Sequence, residues 1–193
     1  MSIILASGSP RRYELLKMAG IEDFEVIVDK AEEIITPGLS PEEQVIILSM
    51  QKARNVANKC SQNDIIIAAD TLVYIGEEPL GKPESLSDAE DMLRKLSNRK
   101  HSVYTGVTII KEGMHISKAE KTDVYFREIT EREIKSYAAT GEPMDKAGSY
   151  AAQGGAAVFI KRIEGDFFNV MGLPLCRLSL MLKELGVKNE SPY

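Results

Sequence analysis

The 193-residue sequence predicts one α/β domain of two lobes around a cleft, and three observations carry that expectation. A short apolar strand, Ile3-Ile4-Leu5, runs through a Ser/Gly loop straight into a helix. The run from Ile65 to Ile75 is apolar and rich in β-branched residues, without alternation, as in a central strand covered on both faces. Helical segments with start signals then separate further strand-like runs as far as a C-terminal amphipathic helix. No repeat, linker or low-complexity segment divides the chain, so residues 1–193 are read as a single domain.

The elements follow in order. Ser9 is a helix N-cap with Pro10 at the first helical position; Leu15, Leu16 and Met18 supply the apolar face, and Gly20 the stop. Residues 24–28 read as a second strand, leading into the acidic segment Asp29-Lys30-Ala31-Glu32-Glu33. Ser40-Pro41-Glu42-Glu43 is a capping box for a helix running to about Lys59, with Val45, Leu48 and Val56 on its inward stripe. After the central strand, Gly76-Glu77-Glu78 is a turn and 79–83 a proline-stiffened loop. Ser87 and Glu90 then start a helix that carries Leu93 and Leu96. Strands at 101–110 and 115–128 flank the hairpin turn Lys111-Glu112-Gly113-Met114. The second alternates Thr122, Val124 and Phe126 against Asp123, Tyr125 and Arg127, so one face should meet solvent or a partner. Thr130 and Glu133 open a helix with Ile134, Tyr137 and Ala138 inward and Gly141 as its stop. A Gly-rich segment over 142–155, a strand over 156–163, a turn over 165–169 and a helix carrying Leu175, Leu178, Leu182 and Leu185 complete the chain.

Composition narrows the function classes. At 44% hydrophobic and 27% charged, the chain has the make-up of a soluble globular protein. Its net charge of −5 argues against general affinity for nucleic acid or an anionic membrane, so any anion site must be local. Cys60 and Cys176 are far apart and form no metal or disulfide pattern, which suits buried or inert thiols in a reducing compartment. No apolar run reaches membrane-spanning length and no basic leader precedes one, so a cytoplasmic protein is expected. His101 and His115 lack metal-ligand spacing and read as strand-surface residues.

Four cations stand in unusual places. Arg11 and Arg12 occupy the first turn of a helix, where the dipole disfavours positive charge by about 0.3–1 kcal/mol each. Loop N–H groups, the helix N-terminus and two guanidinium groups there suit a phosphate, although two solvated surface arginines are the plainer reading. Lys52 lies on the inward stripe of its helix, either snorkelling to water or directed at a buried anion. Lys82 sits in the proline-stiffened loop. Asp70 interrupts the most apolar strand, as a carboxylate bonded to nearby amides at a bend or as a catalytic group. Glu32 and Glu33 offer further carboxylates in a segment that otherwise reads as solvated loop. Gln153, among glycines, either reads an amide-like edge or belongs to a flexible connection. Several cations with two or three carboxylates suit metal-assisted cleavage of a polyphosphate. Neither common glycine-rich nucleotide fingerprint is present, nor a plausible Ser-His-Asp or Cys-His set.

The same residues carry a resemblance. Ala6-Ser7-Gly8-Ser9-Pro10-Arg11-Arg12, Gln51-Lys52-Ala53-Arg54, Ala69-Asp70-Thr71, Gly81-Lys82-Pro83, Asp145-Lys146-Ala147-Gly148-Ser149-Tyr150 with Gln153-Gly154, and Val170-Met171-Gly172-Leu173-Pro174 are similar to the successive motifs of the Maf family of nucleotide pyrophosphatases, in order and over nearly the whole chain. The resemblance implies an inosine-triphosphatase-like α/β fold, an elongated mixed sheet flanked by helices with two lobes and a central cleft. It also implies a nucleoside triphosphate pyrophosphatase dependent on a divalent cation (Mg2+ or Mn2+), of the branch acting on dTTP and UTP. On that basis Asp70 is the proton acceptor and Glu33, with Glu32 beside it, the loop glutamate. Arg11, Thr71 and Gln153 select the substrate, and Arg12 takes phosphate. The expected arrangement has Ser7, Ser9, Arg11, Arg12, Lys52 and Lys82 on the triphosphate, and the metal bridging it to Glu33 and Asp70. A homodimer is favoured by the long hairpin strand and by the family. Two alternatives stand beside this reading: a non-catalytic nucleotide-binding regulator of cell division and septum formation, and an enzyme on modified pyrimidine triphosphates.

Overall fold

In the computed structural model, which describes residues 1–28, 31 and 35–187, three parallel strands set the edge that matters most. Ile3–Leu5 (β1) pairs with Glu25–Val26 (β2) and with the start of Ile65–Ile75 (β3), placing Leu5 opposite both Val26 and Ile67. Glu78–Leu80 (β4) turns back on β3 antiparallel, with Val73 opposite Leu80. Lys100–Lys111 (β5) and Met114–Phe126 (β6) form the hairpin, and Ile160–Glu164 (β7) pairs antiparallel with β6. The result among the described residues is a seven-stranded mixed sheet, ordered β2-β1-β3-β5-β6-β7 with β4 on β3. The mixed α/β fold expected from the sequence is what forms.

Local chemistry accounts for most of the elements. Ser9 caps Pro10–Met18 (α1), and Ser40 caps Pro41–Ala57 (α2) through a full capping box with Glu43. Thr130 and Glu133 do the same for Glu131–Ala138 (α4). Glu112 and Gly113 both take positive φ, at 50° and 79°, which is the two-residue hairpin turn whose twist matches that of its strands.

Several expectations need correction. Met18 is 63% exposed, because α1 buries only Leu15 and Leu16. The second strand shrinks to two residues, and α2 stops at Ala57. Residues 78–80 form a strand instead of turn and loop. Leu86–Leu96 (α3) is capped by Ser85, whose hydroxyl accepts from Asp88 N at 3.1 Å, instead of by Ser87; a cap there would leave the first turn unwound. Residues 155–159 coil into a 3-10 turn before β7, and Phe167–Met171 (α5) is a short helix where a turn was expected. Leu175–Glu184 (α6) follows as anticipated. Cys60 is half-buried and Cys176 exposed, and both are free.

The chain divides into two compact units, Met1–Asp70 with Thr105–Glu120 and Gly172–Tyr193, and Thr71–Tyr104 with Lys121–Met171. The first has a core built on Ile4, Ala6, Ala53, Val56, Ile66 and Ala68. The second buries Val73, Leu93, Leu96, Val103, Phe126 and Phe159. Among the described residues no helix is long and apolar enough to cross a membrane.

Candidate active site

In the first unit, β1 ends at Leu5, and Ala6 still donates to the carbonyl of Ile67 at 2.8 Å. The chain then leaves the sheet at its carboxyl edge, where α/β sheets present ligand sites. Ser7 is buried, and its Oγ accepts from the Ser9 amide and from Arg12 Nη1, both at 3.2 Å. Arg12 Nε donates to the Gly172 carbonyl at 2.8 Å. Arg12 is thus held from two directions, and its guanidinium folds back over the mouth of the loop instead of reaching into solvent. Gly8 is packed close: a Cβ there would lie 3.3 Å from Val28 Cγ2.

Asp70 comes to the same edge. It lies three residues past Ile67 as Gly8 lies three past Leu5, so one parallel register carries both. Its side chain is 4% exposed and its Oδ1 accepts from Lys52 Nζ, whose side chain is 15% exposed. The buried anion towards which Lys52 is directed is therefore the Asp70 carboxylate itself. Removing two charges from water costs several kcal/mol per ion, and a close ammonium is what offsets that cost for the carboxylate. Lys52 gets there because Val45, Leu48, Ser49, Ala53 and Val56 bury one face of α2, and Lys52 lies three residues after Ser49 on that face. Arg11 is half-buried on α1. Glu32 and Glu33 lie outside the described residues. The chain after them is anchored, however: the buried Gln44 accepts from Thr36 N through Oε1 at 2.8 Å.

The second unit holds Thr71, Lys82 and Gln153. Thr71 is half-buried, Lys82 and Gln153 exposed. Gly148 donates to the Gly81 carbonyl at 3.0 Å and fits because its φ is 69°; a Cβ would stand 3.0 Å from Val73 Cγ1. That contact brings the Asp145–Tyr150 motif beside the loop bearing Lys82. Lys146 is nearly buried and pairs with exposed Asp145. Gln153 is positioned by its neighbours: Gly155 N–H donates to Glu142 Oε2 at 3.0 Å, and Ala151 N–H to the Tyr137 hydroxyl at 3.2 Å.

His101 departs from expectation. It is 1% exposed, not a surface residue, and its Nε2 lies 2.8 Å from the Tyr150 hydroxyl. Burial pushes its pKa down to about 4, with Asp123 opposing slightly. Burial also pushes the Tyr150 phenol above its ordinary range. His115 is exposed, as expected.

The structure thus brings Ser7, Ser9 and Arg12 to the sheet edge that also carries the Lys52–Asp70 pair, and groups Lys82 with the Asp145–Tyr150 motif. Gly172, Gln44 and Glu142 also support the site, and the sequence alone assigns none of them a separate role. Gly172 lies in a recognised motif, but its carbonyl serves Arg12 from 160 positions away. Gln44 sits on the inward stripe of α2, which was its one local signal.

Known proteins bear on this arrangement. The family model described as Maf-like protein matches residues 2–185. A dTTP/UTP pyrophosphatase of Bacillus anthracis is 47% identical over 185 residues, covering 96% of each chain. One of Methanosarcina mazei is 51% identical over 187 residues, covering 96% of this chain and 94% of its own. The structure of a HAM1 protein from Coxiella burnetii superposes with a TM-score of 0.52 over 95% of this chain and 99% of its own. At 16% identity that likeness speaks to the fold alone. With a family model spanning the described chain and relatives near half-identical from end to end, this chain belongs to the Maf family.

Proposed function

We propose that the chain hydrolyses dTTP and UTP to the nucleoside monophosphate and pyrophosphate. The observation that carries this reading is the buried Lys52–Asp70 pair at the same sheet edge as the Ser7–Arg12 loop. The names of the full-length relatives from Bacillus anthracis and Methanosarcina mazei support the substrate class.

In this reading Ser7, Ser9, Arg11 and Arg12 bind the phosphates, aided by Lys52 and Lys82. Asp70 takes the proton of a water whose oxygen attacks the α-phosphorus. The bond from that phosphorus to the α–β bridging oxygen breaks, and pyrophosphate leaves with the bridging oxygen. The cations stabilise charge on the departing group. Lys52 holds the Asp70 carboxylate in its ionised, oriented form until the substrate arrives. Thr71, Gln153 and Arg11 choose the base or sugar.

The donor chemistry fits a hard divalent cation, since Asp70 offers a buried carboxylate oxygen and a triphosphate offers more. Asp70 and Glu33 would hold Mg2+ or Mn2+, which when bound neutralises phosphate charge and polarises the phosphorus.

The test is a panel of nucleoside triphosphates with product analysis, with and without EDTA. Asp70→Asn should lose most turnover while melting as a folded protein. Retained turnover, or orthophosphate as first product from dTTP, refutes the assignment. Binding of dTTP without turnover in Mg2+ or Mn2+ would favour a regulatory role instead.

A further inference from the structure

The face of α2 that carries Lys52 is fitted to β5 by two features that the proposed reaction does not use. The first is Gly106. A Cβ there would stand 2.1 Å from the Val45 carbonyl oxygen, 2.4 Å from its carbon and 2.9 Å from Ile46 N. These are backbone atoms of a helix, so only glycine admits α2 at this depth. The second is a line of hydroxyl groups. Ser49 Oγ lies 2.9 Å from Thr108 Oγ1, which lies 2.8 Å from Ser117 Oγ on β6. Ser49 Oγ also donates to the Ile46 carbonyl at 3.0 Å. Each hydroxyl has one proton, so the direction follows: Ser117 donates to Thr108, Thr108 to Ser49, and Ser49 to the helix backbone. Ser49 and Thr108 are both fully buried.

The two features are in step. Val45 to Ser49 is about 6 Å along a helix, and Gly106 to Thr108 about 6.6 Å along a strand. Gly106 therefore meets one turn of α2 and Thr108 the next. Lys52 follows Ser49 by three residues on the same side, and it is the group that reaches Asp70.

The geometry points to Gly106 and the Ser117–Thr108–Ser49 line as positioning residues that set the depth and rotation of α2 and so hold Lys52 on Asp70. This rests on the proposed reading of Asp70 as the base. Thr108→Val tests it, because valine keeps the volume and removes the hydroxyl. A methyl group seeks roughly 3.5 Å from its neighbours, so it cannot stand where the hydroxyl stands 2.9 Å from Ser49, and α2 must give way. Thr108→Ser keeps both hydrogen bonds.

With dTTP as substrate, Thr108→Val should lower kcat at least tenfold with KM changed less than threefold, since misplacing a group by an ångström can cost about a hundredfold. Thr108→Ser should retain kcat within about twofold. In a Lys52→Ala background, Thr108→Val should cause no further loss, because the line acts through Lys52. An equal loss in both backgrounds, or an unchanged kcat in Thr108→Val, overturns the proposal. A crystal structure of Thr108→Val supplies a readout independent of turnover. Lys52 Nζ should leave hydrogen-bonding distance of Asp70 there and keep it in Thr108→Ser. Lys52 unmoved in Thr108→Val overturns the positioning role. Failure of the wild type to hydrolyse dTTP overturns the functional reading instead.

Discussion

Replacing His101 by phenylalanine should remove a pH dependence from the stability of the fold. His101 packs edge-on against the rings of both Phe126 and Tyr150, with centroids 4.9 and 5.2 Å away, and only 1% of it meets solvent. Burial lowers its pKa from 6.5 to about 4, so the folded protein keeps the imidazole neutral where the unfolded chain would protonate it. The sign follows. Above pH 6.5 both states are neutral and the full contribution is present. As the pH falls from 6.5 towards 4 the unfolded state binds a proton that the folded state refuses, and stability drops. Below about pH 4 both states are protonated and the loss is complete. At 1.36 kcal/mol per pKa unit, the shift amounts to about 3 kcal/mol. The assay is urea unfolding of wild type and His101→Phe between pH 7.5 and 4. Carboxylates other than Asp123, whose pull on His101 is the smaller cause, titrate alike in both proteins, and the Tyr150 hydroxyl loses its partner in the variant at every pH, so these effects cancel or stay constant in the difference. That difference should change by about 3 kcal/mol in favour of the variant as the pH falls. A difference flat to within about 0.5 kcal/mol would show that His101 is not held neutral, and the reasoning fails.

Two glycines should respond differently. Gly106→Ala sets a methyl group against the backbone of α2 and should cost about 3 kcal/mol in urea unfolding, with turnover falling too, because the helix cannot yield locally. Gly154→Ala brings a Cβ to 1.6 Å from Glu142 Oε1, the far end of a flexible side chain. Its stability should change by less than about 1 kcal/mol. The Gly155 amide should lose its bond to Glu142, and KM for dTTP should rise several-fold as Gln153 shifts.

Helix starts were legible where their chemistry is local. Ser9, the Ser40–Glu43 box and the Thr130–Glu133 box involve residues three apart, and all three formed. The choice between Ser85 and Ser87 was not local. Each has an acidic residue three positions on, so spacing leaves both open, and in the fold it is the Ser85 hydroxyl that accepts from the amide three residues on, at Asp88. Likewise the residue spacing put Lys52 on the buried face of α2, but its partner lies 18 positions on, on β3.

What the sequence by itself determined was the mixed α/β class, the strand–loop–helix opening with its serine cap, the buried central strand and the set of candidate charges. Periodicity, capping and the ordered motifs act over a few residues, and they survive whatever the rest of the chain does. Tertiary structure alone decided what those charges touch. Lys52 faces Asp70 because α2 seats on β5 over Gly106. Arg12 is held by a carbonyl from the far end of the chain, and His101 is neutral because Phe126 and Tyr150 close over it. Burial and pairing depend on surfaces that meet only after folding, so no local pattern encodes them.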